Sequence, residues 1–156
     1  MKQSLAVVAC LLLASCGVDQ KKFDGAYRAG KAVQAAVNSG VNMTRYSELL
    51  QVLTTETSIA KDHEKGSAEK KLVEAYESAA TSYGHALVLW HLKVEGPTDW
   101  IDMGPTLDKM LAPYTDIKFD QSVPGSKRVF IELAMQAIWK VASSKLDAAN
   151  ALLTGH

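Results

Sequence analysis

Cysteine is scarce in this 156-residue chain: there are two, Cys10 and Cys16, and none beyond position 16. The body of the protein therefore has no intramolecular disulfide and no thiolate metal site, and its stability has to come from burial. Proline is confined to one stretch, at Pro97, Pro105, Pro113 and Pro124, so helices on either side can run unbroken. Neither sign of charge is in excess, with 17 Lys+Arg against 17 Asp+Glu. That balance speaks against a nucleic-acid partner, which calls for a basic patch, and against a polybasic membrane-surface domain. The most apolar stretch, Leu5 to Leu13, falls short of the roughly twenty residues that cross a bilayer.

Signatures of chemistry are missing as well. A zinc hydrolase needs His-Glu-x-x-His, but no second histidine follows His63-Glu64, and His85 and His91 stand six apart, on opposite sides of a helix. There is no Glu-x-x-His for a di-iron bundle, no Cys-x-x-Cys-His for haem, no Gly-x-Ser-x-Gly elbow and no glycine-rich phosphate loop. Glu48, Glu56, Glu74 and Glu77 fall on expected helical surfaces, and a catalytic pairing of carboxylates is a spatial matter that spacing leaves open. The expectation is a protein without metal, without cofactor and without enzymatic activity.

What is present begins at the amino terminus. Lys2 supplies a positive charge, Leu5 to Leu13 an apolar core, and Ala14 and Ser15 small residues just before Cys16. Leu13-Ala14-Ser15-Cys16 resembles a lipobox, and the segment resembles the export signal of a bacterial lipoprotein. The resemblance implies cleavage before Cys16, a diacylglycerol thioether on its sulfur and often a further acyl chain on the new amino terminus. Val7-Val8-Ala9-Cys10 leaves too little apolar core ahead of it to serve in the same way. The family's sorting rule makes Gly17, in place of aspartate, an outer-membrane address, although Asp19 lies two residues on and positions beyond the second matter in some bacteria. The resemblance covers the signal and one residue after it. The organisation expected is a cleaved signal over 1–15, a lipidated cysteine and polar tether over 16–22, and one helical domain over 23–156.

Periodicity organises that domain. Phe23, Ala26, Gly30, Val33 and Val37 recur at helical steps and predict a helix from Asp24 to Asn38, stopped by Gly40. Its small residues Ala26, Ala29, Gly30 and Ala36 would admit a neighbouring helix closely. Tyr46, Leu49, Leu50, Leu53 and Ala60 predict a second helix from Thr44 to Lys65, with Asn42-Met43-Thr44 a helix start before it is a glycosylation sequon. Gly66 should end it and Ser67 cap the third, the longest, running to Glu95 with Leu72, Tyr76, Ala79, Tyr83, Ala86 and Trp90 in one seam. Gly96-Pro97 stops that helix. Over 97–125 only a short helix after Gly104-Pro105 is expected, the rest being loop, with Trp100, Ile101, Met103, Met110 and Tyr114 packing it onto the helices. A last helix from Ser126 to Leu153 should bury Phe130, Leu133, Ala134, Ala137, Ile138, Val141, Ala142 and Leu146. Four long helices and one long crossover predict an all-α, four-helix-bundle-like fold, and no constant-period repeat supports a helical-repeat alternative.

One local constellation stands out. Trp90, His91 and Lys93 end the long helix, and Asp99 and Trp100 follow just past the turn. Tryptophan suits recognition because it joins a large apolar area to an edge donor, yet Trp90 also fits the core seam and Trp100 could staple the crossover. These five residues are the candidate binding set and Cys16 the lipidation site. Two readings follow: an anchored module that binds another envelope protein, in the manner of pilot lipoproteins, or a binder of a small apolar or saccharide ligand between the third helix and the crossover. A hydrolase with acids hidden in the crossover is a distant third.

Overall fold

The computed structural model describes residues 18–155. The segment expected to be an export signal, with its lipobox-like tetrapeptide and Cys16, lies outside them. Helix accounts for 73% of what is described, which makes the chain mostly helical with little strand. The helices are α1 (Gln20–Ser39), α2 (Met43–Asp62), α3 (Gly66–Glu95), α4 (Pro105–Leu111) and α5 (Ile131–Thr154). Three short strands, β1 (Trp100–Asp102), β2 (Phe119–Asp120) and β3 (Arg128–Phe130), form one antiparallel sheet in the order β1-β3-β2.

The helix starts follow from capping chemistry. Asp19 accepts a hydrogen bond from the Lys21 amide at 3.2 Å, so α1 begins at Gln20 and takes over residues that the tether was expected to hold. Asn42 accepts from the Arg45 amide at 2.9 Å and opens α2. At α3 the expected Ser67 cap is replaced: Glu69 reaches back to accept from the Lys65 amide at 2.5 Å, and Gly66, at φ 77°, turns the chain into the helix. Glu69 is buried and also accepts from Lys22 at 3.1 Å. Burial pushes its carboxyl up, but the bonds from Lys22 and the Lys65 amide outweigh burial and leave it below the ordinary carboxylate range.

The helices then pack α1 on α2, α2 on α3, α3 on α5 and α1 on α5. Two cores result. The first gathers Phe23, Val33, Tyr46, Leu53, Leu72, Tyr76, Tyr83 and Leu146, drawn from α1, α2, α3 and α5. At thirty residues, α3 is half again as long as the twenty-residue α1 and α2, so about its last third and the start of α5 extend past them. There the crossover closes a second core with Leu111, Tyr114, Ile117 and Val129 against Ala86, Leu89, Ile131 and Ile138. Gly30 brings α1 against α5. A Cβ there would stand 3.0 Å from Leu146 Cδ2. Gly30→Ala should stay within about 1 kcal/mol of the native stability, because the helix-propensity gain offsets a small shift of that methyl. Gly30→Leu should cost about 1–3 kcal/mol by overpacking, as a urea melt would show.

The crossover is where expectation and structure part. The stretch over 97–125 holds more than α4 and loop, since Ile101 pairs with Val129 and Val129 with Phe119, all three on the face turned to the second core. The last helix starts five residues later than expected because 128–130 pair as β3. Phe130 therefore belongs to the sheet, and Leu133, expected in the core, is 61% exposed.

Candidate interaction surface

The sequence set divides along the protein's interior and surface. Trp90, on α3, turns inward and meets Tyr46 at 5.6 Å and Trp139 at 5.8 Å between ring centroids, while the Trp139 indole N–H donates to the Tyr46 hydroxyl at 3.0 Å. It is a packing residue, half-buried and touching both cores. His91 projects from the exposed side of the helix. Lys93 is drawn across to α5, where it donates to Glu132 at 2.5 Å, and it stands 4.0 Å from Asp99. The Glu132 bond, with the negative charge of Asp99 behind it, holds the Lys93 ammonium above its usual range. The structure thus brings Lys93, Asp99 and Trp100 to one end of α3 and leaves Trp90 in the interior.

Trp100 lies on the outer face of the sheet, 42% exposed. Its ring meets Phe130 edge to face at 5.3 Å, and the Arg128 guanidinium lies 5.3 Å from its centroid. The alternation of a strand explains the grouping: Ile101 and Val129 point in, so Trp100, Asp102, Arg128 and Phe130 point out. Arg128 is fixed from the other side by Asp120 at 2.6 Å. The Ser122 amide and hydroxyl, followed by Arg128, lower the Asp120 carboxyl to about 2. Arg128, Phe130 and Glu132 were not among the sequence candidates. The signal that could have found Arg128 and Phe130 is the alternation in Arg128-Val129-Phe130, which a helical reading of the same residues hides.

The sheet edge beside Trp100 is closed to strand addition. The Met103 amide donates to Lys127 and the Ile131 amide to Asp99, so residues 99, 101 and 103 turn their backbone toward β3 and Trp100 turns its own outward. Thr98 occupies both outward groups: its hydroxyl donates to the Trp100 carbonyl at 2.8 Å and accepts from the Trp100 amide at 3.3 Å. A partner therefore meets the indole ring and a blunted edge. Between Trp100 and the end of α3 runs an open groove of about 510 Å³ lined by Leu92, Pro97, Ile101 and Ile131 among others.

Among the described residues no group of three His, Cys, Asp or Glu side chains converges as a metal site, and no helix is long and apolar enough to cross a membrane. Comparison with protein-family models, with curated proteins and with solved structures found no match for the chain.

Proposed function

We propose that this is a non-enzymatic lipoprotein of the bacterial envelope, held in the outer membrane by acyl chains on Cys16, which presents the Trp100 surface to a partner protein in the periplasm. Its body is a four-helix bundle of α1, α2, α3 and α5 with the crossover folded on one end. The observation that carries this reading is the separation of the two ends. The chain enters α1 beside the end of α5, where Gln20 Nε2 donates to the Leu153 carbonyl at 3.2 Å, and beside the start of α3, where Lys22 pairs with Glu69. Trp100 lies past the far end of the thirty-residue α3, roughly 45 Å away along the helix axis. A short anchor at one end and an aromatic, charge-rimmed surface at the other suit an adaptor. The runner-up, a small apolar or saccharide ligand, has the open groove at Trp100 in its favour, while Leu111, Tyr114 and Ile117 fill the space beneath the crossover.

The test is cross-linking in intact cells followed by purification, native protein against Trp100→Ala. The exchange should cost less than about 1 kcal/mol of stability, because it opens no interior cavity, yet it should abolish recovery of the cross-linked partner. A large fall in melting temperature would make Trp100 a packing residue. Recovery of the same partner at native yield would move recognition elsewhere.

A further inference from the structure

A second constellation lies apart from the Trp100 surface, where the crossover meets the long helices. Ser82 and His85 on α3, Tyr114 in the turn after α4 and Lys145 on α5 converge there. His85 Nδ1 and the Tyr114 hydroxyl are 2.7 Å apart, with the rings edge to face at 5.8 Å. Ser82, 1% exposed, accepts from Lys145 Nζ at 2.9 Å and donates to the Ser78 carbonyl at 3.0 Å. Tyr114 is 3% exposed, and it ties the segment between α4 and β2 to α3. Among the described residues no carboxylate forms an ion pair with Lys145 or His85. The acid that follows Tyr114, Asp116, is held by Lys140 at 3.5 Å. The groups that face His85 are therefore Lys145 from α5, Tyr114 from the crossover and Ser82 one turn back on its own helix.

We propose that the His85–Tyr114 bond is a pH-sensitive latch, closed while the imidazole is neutral and opened by its protonation, which frees the crossover from α3 and uncovers Leu111, Tyr114 and Ile117. With Nδ1 unprotonated, the Tyr114 hydroxyl can donate to it. Once Nδ1 carries a proton the bond can only run the other way, from imidazolium to phenol oxygen, and two cations, His85 and Lys145, then share a half-buried site in which no described carboxylate pairs with either, so the cost of opening falls. Burial, and then the Lys145 charge, already hold His85 below its ordinary value of 6.5. The sign follows from proton counting. An opened His85 takes its proton near 6.5 and a closed one only at lower pH, so between those two values the open form binds more protons. Closure is at full strength above the ordinary value, weakens as pH falls below it, and stops weakening once the closed form is protonated too. The apolar surface under the crossover then becomes available only in acid.

Hydrogen exchange on the full-length protein, purified in detergent from the cells that process it, tests the latch. After correction for intrinsic rates, opening of the 105–120 segment should rise by up to about tenfold per pH unit through the window below neutrality, while α1 and α2 stay protected. His85→Asn, which keeps a neutral polar partner for Tyr114, should make that segment indifferent to pH. Lys145→Gln should leave the onset in place and shrink the total rise, because the closed form then takes its proton at higher pH and the weakening stops sooner. Equal protection of 105–120 at about pH 7.5 and about pH 5, or an unchanged pH response in His85→Asn, would overturn the proposal. Should the variants fail to fold, the native histidine resonances decide: a His85 midpoint below 6.5 with a Tyr114 ring shift at the same midpoint supports the latch, and a midpoint at or above 6.5 refutes it.

Discussion

Tyr46→Ala is expected to remove about 3–5 kcal/mol of stability, the range for truncating a fully buried aromatic. Tyr46 is inaccessible to solvent and stands among three other rings, with centroids 5.6 Å from Trp90, 5.9 Å from Trp139 and 6.3 Å from Tyr83. Its hydroxyl donates to the Tyr83 carbonyl at 2.8 Å and accepts from the Trp139 indole at 3.0 Å. Burial pushes that phenol well above its ordinary range, so it serves as a neutral donor at every physiological pH. Tyr46→Phe separates ring from hydroxyl. It keeps the volume and leaves one indole N–H without its partner, which should cost about 1–3 kcal/mol. Domains of this size hold about 5–15 kcal/mol in all, so the alanine variant should lose a large share of it and the phenylalanine variant only part. Denaturant midpoints at unchanged slope measure both. A loss under about 1 kcal/mol for Tyr46→Ala would mean that the ring cluster is not cooperative with the rest of the first core.

That cluster also shows how far the fold is legible from residue order alone. The seam Leu72, Tyr76, Ala79, Tyr83 and Ala86 is buried along its whole length, because a thirty-residue helix repeats its spacing often enough to be unmistakable. Trp90 continues that seam and turns inward as its spacing requires. Caps were legible to within a residue or two where Asn42 and Gly40 supply the chemistry, and misjudged at Ser67, where a buried Glu69 serves instead. The sheet escaped because strands of two or three residues are too short to show a period. Arg128, Val129 and Phe130 fit the first turn of a helix as well as a strand. Only pairing with Ile101 and Phe119, distant in sequence, decides between them. Leu133 is a helical step from Phe130 and looks buried only while Phe130 counts as helix; the stripe that α5 buries runs through Ala134, Ile138, Ala142 and Leu146 and leaves Leu133 outside.

The candidate site was half legible for a related reason. A tryptophan's residue type says that it will be used, but not whether inside or outside. The strand geometry that turns Trp100 outward onto Arg128 and Phe130 depends on the missed sheet. In residue order His85 is marked only by lying opposite His91; its partners Tyr114 and Lys145 come from two other elements, and nothing local announces them.

Cys16→Ala is expected to move the protein from the membrane pellet to the soluble fraction by a factor of a hundred or more. Each buried methylene contributes about 0.8 kcal/mol, so a single acyl chain binds marginally and two or more bind almost permanently; the alanine form keeps none. Because α1 begins at Gln20 with Asp19 as its cap, only residues 17–19 separate Cys16 from rigid structure, a reach of roughly 10 Å when extended. In the anchored form proposed above, so short a tether would hold the domain close to the headgroups by the end opposite Trp100. Among the described residues, the members of both cores all lie at or beyond Val18 and none is altered by the exchange, so the released form should melt like the native one. Equal melting with lost pelleting would show that position 16 acts through attachment. If the alanine form still pelleted after an alkaline wash, the domain would be attached by a partner or by a second anchor, and the end-on orientation would lose its basis. If it were released yet still cross-linked to the same envelope protein in the periplasm, recognition would belong to the Trp100 surface and the lipid would serve only to raise the local concentration of that surface at the membrane.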